Sequence, residues 1–106
     1  MFFDLSQRPV KKLFDGVTCQ TTWGERMMFS FVDLAPGSVV PPHSHPHEQM
    51  GLVLEGEFDL TIGGETRTLR EGDSYCAPGG VTHSVKTGPR GARALDVFCP
   101  VREEYK

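Results

Sequence analysis

Short apolar runs separated by single turn residues make up most of the chain, and in several of them apolar and polar positions alternate. The clearest case is the run from Glu57 to Ile62, where Phe58, Leu60 and Ile62 alternate with Glu57, Asp59 and Thr61. Successive side chains of a strand point to opposite faces, so this run predicts one face in a core and the other in water. The same pattern predicts strands at 17–22, 26–34, 48–55, 57–62, 65–70, 74–76, 83–87 and 92–98. Turn residues mark their ends: Pro36-Gly37 suits a type II turn, Gly63-Gly64 a two-residue hairpin loop with positive φ, and Pro89-Arg90-Gly91 a further reversal. Eight short, hairpin-linked runs predict an antiparallel all-β fold, closed or sandwiched. Residues 1–16, around Pro9, lack helical periodicity and are expected to form a strand or extended arm.

Composition narrows the partners. With 106 residues there is room for one core. The net charge is −3 and Lys11-Lys12 is the only adjacent basic pair, so neither nucleic acid nor an anionic lipid surface is an expected partner. No apolar run approaches the roughly 20 residues of a spanning helix, and Met1-Phe2-Phe3 meets Asp4 at once; neither a membrane span nor a signal peptide is expected. Three cysteines, Cys19, Cys76 and Cys99, form no close pair and suit neither a disulfide framework nor a metal clip. They are expected to be reduced, small buried hydrophobes in a cytoplasmic protein.

The chemistry concentrates in the histidines. Three of four, His43, His45 and His47, fall within five positions. In an extended backbone, residues two apart share a face, so His43 and His45 can serve one ion at about 2.0–2.1 Å, and Gln49 has the same parity. A bare pair of this kind also suits a turn with exposed polar residues. A second segment, from Gly72 through the Pro78-Gly79-Gly80 turn, brings in the remaining His83.

Together, Gly37, His43, His45, Gln49 and Gly56, then Gly72, Pro78, Gly80, His83 and Thr87, resemble the two signature motifs of the cupin superfamily. The resemblance covers residues 26–102. It implies a single-domain, jelly-roll antiparallel β-barrel, usually a homodimer, holding one divalent transition metal ion: zinc, nickel, copper, manganese or iron. On that basis residues 1–25 form an arm serving the barrel or the dimer, and 26–106 the barrel. The implied metal ligands are His43, His45, Gln49 and His83. Gln49 stands where these motifs usually carry Glu, and Thr87 where they carry Asn. A neutral amide oxygen leaves the site with the full charge of the ion, favouring a Lewis acid over a host for oxidised iron. It therefore tilts the chemistry toward polarising an oxygen-bearing substrate. The alternative is that Gln49 does not ligate, leaving a three-imidazole site or an empty barrel.

The block at 45–49 and the stretch from Leu95 to Tyr105 are also similar to the small pectin-degradation cupins, which linearise 4,5-unsaturated uronates to 5-keto-4-deoxyuronate. That similarity implies a pocket lined by Asp96, Phe98 and Arg102. On a final strand Asp96 and Phe98 share one face, opposite Leu95, Val97 and Cys99. Facing the lumen, Asp96 suits acid or base work, and Arg102 suits a carboxylate grip or a pair with Asp96. The plain readings are an interface charge for Asp96, a solvated residue for Arg102 and core for Phe98. His47 and Glu48 suit a supporting or surface place, and Tyr75 a pocket hydroxyl or a half-buried aromatic. Met27, Met28, Phe29 and Phe31 suit core or dimer contacts, and Gly51 would leave space near the ion. The implied substrate is a small carboxylated sugar. The alternatives are another cupin metalloenzyme, whether oxygenase, decarboxylase or isomerase, and a non-catalytic ligand-binding or sensory cupin.

Overall fold

The computed structural model describes all 106 residues. Eight strands follow in order: β1 (Lys11–Phe14), β2 (Val17–Trp23), β3 (Met28–Leu34), β4 (Val39–His43), β5 (Glu48–Ile62), β6 (Glu65–Arg70), β7 (Ser74–Ala77) and β8 (His83–Cys99). Short 3-10 turns at Leu5–Gln7 and Glu103–Tyr105 flank them. No helix is long and apolar enough to cross a membrane.

All pairings are antiparallel, in the order β1-β2-β3-β8-β5-β6, with β4 added to β8 and β7 to β5. The two long strands carry the architecture. The first half of β5 pairs with β7 and with the second half of β8, which also holds β3. The second half of β5 pairs with β6 and with the first half of β8, which also holds β4. The registers of both strands shift beside Gly56 and Gly91, whose φ angles are 73° and 75°. A Cβ on Gly56 would lie 2.1 Å from the Gly91 carbonyl oxygen, so two glycines meeting back to back let the paired strands bend together.

This bend corrects one expectation. Pro89-Arg90-Gly91 does not reverse the chain but lies within β8, and the predicted strands at 83–87 and 92–98 are one element, as are 48–55 and 57–62. The two other turns fall where their chemistry places them. The Ser38 amide donates to the Ala35 carbonyl oxygen across Pro36-Gly37, and Gly63 takes φ 60° between β5 and β6.

The core draws on both halves: Val17, Cys19, Val32, Leu34, Val53, Phe58, Leu60, Leu69 and Ala94. Phe58 and Leu60 are buried as their alternation predicts, each contributing about 1.5–3 kcal/mol. Of the cysteines only Cys19 is buried; Cys76 and Cys99 are exposed, contrary to expectation. Parity explains the difference, because their neighbours Ala77 and Phe98 take the inward positions. Met28 is fully buried, whereas Met27 and Phe29 are exposed.

Candidate metal centre

β4 is a strand that local pattern does not reveal, because Pro41 and Pro42 lack amide donors. It lies at a sheet edge and pairs only with β8, where missing donors cost no ladder bonds. Its last residue faces the first residue of β8, so His43 and His83 are direct cross-strand partners. Two segments forty residues apart in sequence meet by this register. His45 follows in the loop before β5, its ring centroid 5.9 Å from that of His43 and 5.0 Å from that of His83.

Backbone carbonyls fix how the rings are presented. The Nδ1 atoms of His43, His45 and His83 lie 2.9, 3.0 and 3.0 Å from the carbonyl oxygens of Pro41, His47 and Val81. A carbonyl only accepts, so each Nδ1 carries the proton and each Nε2 is left with its lone pair free. The three imidazole donor sets lie within 4.8 Å of one another. Burial, followed by the positive charge of Arg102, holds the His45 pKa below its ordinary value; burial does the same for His43. Both rings are thereby kept in the neutral form that binds metals.

Two features show that this cluster fits a cation. The Nε2 of His83 is buried with no hydrogen-bond partner. In addition, the Gln49 Oε1 lies 3.0 Å from the His45 Nε2. The His45 Nδ1 proton goes to the His47 carbonyl, so the amide oxygen of Gln49 confronts the lone pair of the other ring nitrogen. A positive ion between the two acceptors resolves that opposition.

Gln49 sits on β5 between Ala77 and Phe98, and two residues on, Gly51 sits between Tyr75 and Asp96. Asp96 and Phe98 share one face, as strand parity predicts, and both are buried. It accepts a 2.6 Å hydrogen bond from the Tyr75 hydroxyl. Burial raises its pKa from 3.8 to about 6 despite the opposing effects of Tyr75, Gln49 and Arg102. The Tyr75 pKa is pushed well above 10 by burial and then by Asp96, so the phenol stays a donor. The space beside Gly51 is not open room near an ion: the Tyr75 ring fills it.

Arg102 lines the same cavity as His43, Gln49, His83, Tyr75, Asp96 and Phe98, whose deeper walls are aliphatic. Its guanidinium carbon lies 5.3 Å from the Phe98 ring centre and 4.0 Å from that of Tyr105. Its Nε donates to Glu104 at 2.8 Å, and not to Asp96, leaving the Nη groups without a protein partner. Glu104 and Tyr105 were not singled out by sequence pattern; the only local signal is their nearness to Arg102. His47 supports the cluster through its backbone carbonyl, and Glu48 is exposed.

Comparison with known proteins agrees with this geometry. A profile of the cupin domain matches residues 30–98. The chain belongs to the cupin family. This cupin is 33% identical to the pectin degradation protein KdgF of Dickeya dadantii over 98% of its own length and 96% of that protein's. Its backbone superposes on the structure of KdgF from Halomonas sp. with a TM-score of 0.91 at 27% identity, covering 100% of this chain and 98% of that one. An RmlC-like cupin from Shewanella frigidimarina gives a TM-score of 0.91 at 28% identity, covering 99% and 95%. The jelly-roll cupin fold expected from the motifs is the fold of this chain.

Proposed function

We propose that this cupin holds a divalent ion on His43, His45, His83 and Gln49 and converts a 4,5-unsaturated uronate monosaccharide to linear 5-keto-4-deoxyuronate. The observation that carries the reading is its end-to-end similarity to a pectin degradation protein. The conversion is an isomerisation. The C1 hydroxyl loses its proton and the ring bond from C1 to oxygen breaks, leaving an aldehyde. The bonding pair passes to the former ring oxygen as an enolate, whose C4 then gains a proton as C5 becomes the ketone.

A bound divalent ion supplies Lewis acidity to a carboxylate or hydroxyl oxygen of the sugar. Asp96 moves the proton, being a buried carboxyl held by the Tyr75 hydroxyl beside the ligand cluster. Arg102, lying against both the Phe98 and Tyr105 rings and gripped at Nε by Glu104, presents its Nη donors to the uronate carboxylate. Phe98 gives the sugar an apolar platform and keeps Arg102 in place.

The expected result with purified, metal-replete protein is loss of the ultraviolet absorbance of unsaturated galacturonate, with the linear keto acid as product. Unchanged absorbance in a sample carrying about one ion per chain overturns the reading. Oxygen uptake by the iron-loaded protein would instead favour an oxygenase.

The setting proposed with this activity is a cytoplasmic homodimer. Free thiols at exposed Cys76 and Cys99 suit a reducing compartment. On the outer sheet face, Phe29, Val97, Met50 and Cys76 form one row across four strands, and Phe31, Leu95 and Leu52 a second. A second copy covering these rows removes them from water. Light scattering is expected to return twice the 11.7 kDa chain mass, and a monomer at micromolar concentration overturns the dimer.

A further inference from the structure

Tyr75, Gly51 and Asp96 are neighbours across three strands: Gly51 of β5 pairs with Tyr75 of β7 on one side and with Asp96 of β8 on the other. For a phenol on β7 to reach a carboxylate on β8 it must pass over β5. An ordinary side chain at the intervening position blocks that path. A Cβ on Gly51 would lie 2.1 Å from the Tyr75 Cζ and 2.2 Å from its hydroxyl oxygen, so the end of the ring rests directly on the glycine. The Phe58 ring braces the phenol edge-on, with centroids 6.2 Å apart. The hydroxyl then reaches Asp96 Oδ1 at 2.6 Å. Gly51 has no positive φ, so a turn does not explain it; the crossing ring does.

We propose that Tyr75 is a positioning residue, admitted by the slot at Gly51, which fixes the plane of the Asp96 carboxylate for proton transfer to the bound sugar. This rests on the role given to Asp96 above. Without the phenol the carboxylate is free to turn about its last bond, whereas a 2.6 Å bond from a ring seated on Gly51 and braced by Phe58 holds both that torsion and the direction of the remaining lone pairs. The slot and the ring form one device, since neither has this effect without the other.

The test uses metal-replete Tyr75→Phe, Gly51→Ala and the double variant, with kcat, KM, metal content and melting temperature measured for each. Tyr75→Phe is expected to lower kcat about 10- to 100-fold, the size of a lost hydrogen bond to a charged group, with KM and bound metal within about twofold of wild type. Gly51→Ala, which keeps the hydroxyl but blocks its path, is expected to lower kcat by a similar factor. It should cost little more in the Tyr75→Phe background, because the two changes remove the same contact. A lowered melting temperature with wild-type kcat, or fully additive losses, overturns the inference. The positioning can also be read without turnover. A crystal structure of Tyr75→Phe is expected to show the Asp96 carboxylate rotated from its tyrosine-bound orientation. An unmoved carboxylate overturns the inference, whereas a wild type inactive on the sugar overturns only the functional reading.

Discussion

His83→Ala is expected to empty the metal centre while leaving the barrel folded. The ring nitrogen it removes is buried without a partner, so in the metal-free protein its loss relieves an unmet polar group as well as leaving a small void. Those effects oppose each other, and the metal-free variant should melt close to metal-free wild type. The difference appears when metal is added. An ion present at a hundred times its dissociation constant stabilises the folded state by about 2.7 kcal/mol, worth roughly 10–20 °C in a domain of this size. Wild type is expected to show that rise with zinc or nickel, and the variant none. Elemental analysis should fall from about one ion per chain to near zero, and uronate conversion by at least about 100-fold. A variant that keeps both the ion and the metal-dependent rise in melting temperature would show that the three rings do not act as one site.

The sequence carried the participants of this site better than it carried the paths that join them. Spacing alone brings His43, His45 and His83 under one pair of motifs, and alternation alone puts Asp96 and Phe98 on one face, which the fold then turns inward. The contact that joins the two motifs, His43 opposite His83, depends on β4. That strand is hidden because Pro41-Pro42 reads locally as a break, and its edge position makes it tolerable. The Pro89-Arg90-Gly91 run misleads in the reverse way. Turn residues report a change of chain direction but do not distinguish a hairpin from a bend within a strand, and here the partner bend at Gly56 settles the outcome. Tyr75 and Gly51 could not be joined to Asp96 without knowing the register of three strands at once. The grip of Glu104 and Tyr105 on Arg102 depends likewise on the turn after β8. In each case the missing information is a long-range pairing, to which local propensity contributes nothing.

Asp96→Asn is expected to separate catalysis from both metal binding and stability. Asparagine has nearly the same shape, and its amide nitrogen can face Tyr75. The Tyr75 hydroxyl can rotate to accept instead of donate, so Gln49 keeps its oxygen toward His45 and the ligand set survives. Metal content should therefore match wild type while kcat falls roughly 100- to 10,000-fold, the range for removing a positioned acid or base. Stability should move the opposite way. Burial raises the Asp96 carboxyl from 3.8 to about 6, so the folded chain holds that proton more tightly than the unfolded chain does. The stability this group contributes is complete below about pH 4 and is lost as pH rises through about 6. In the metal-free proteins, wild type should thus lose about 2 kcal/mol relative to Asp96→Asn between pH 4 and pH 7. The comparison is read from denaturant melts of the two proteins across that range. A carboxyl that weakens the fold at neutral pH and yet is held by a phenol reaching across a strand is arranged for chemistry, not for packing. An Asp96→Asn protein that turned over the sugar at the wild-type rate, or lost its ion, would remove Asp96 from the reaction as written.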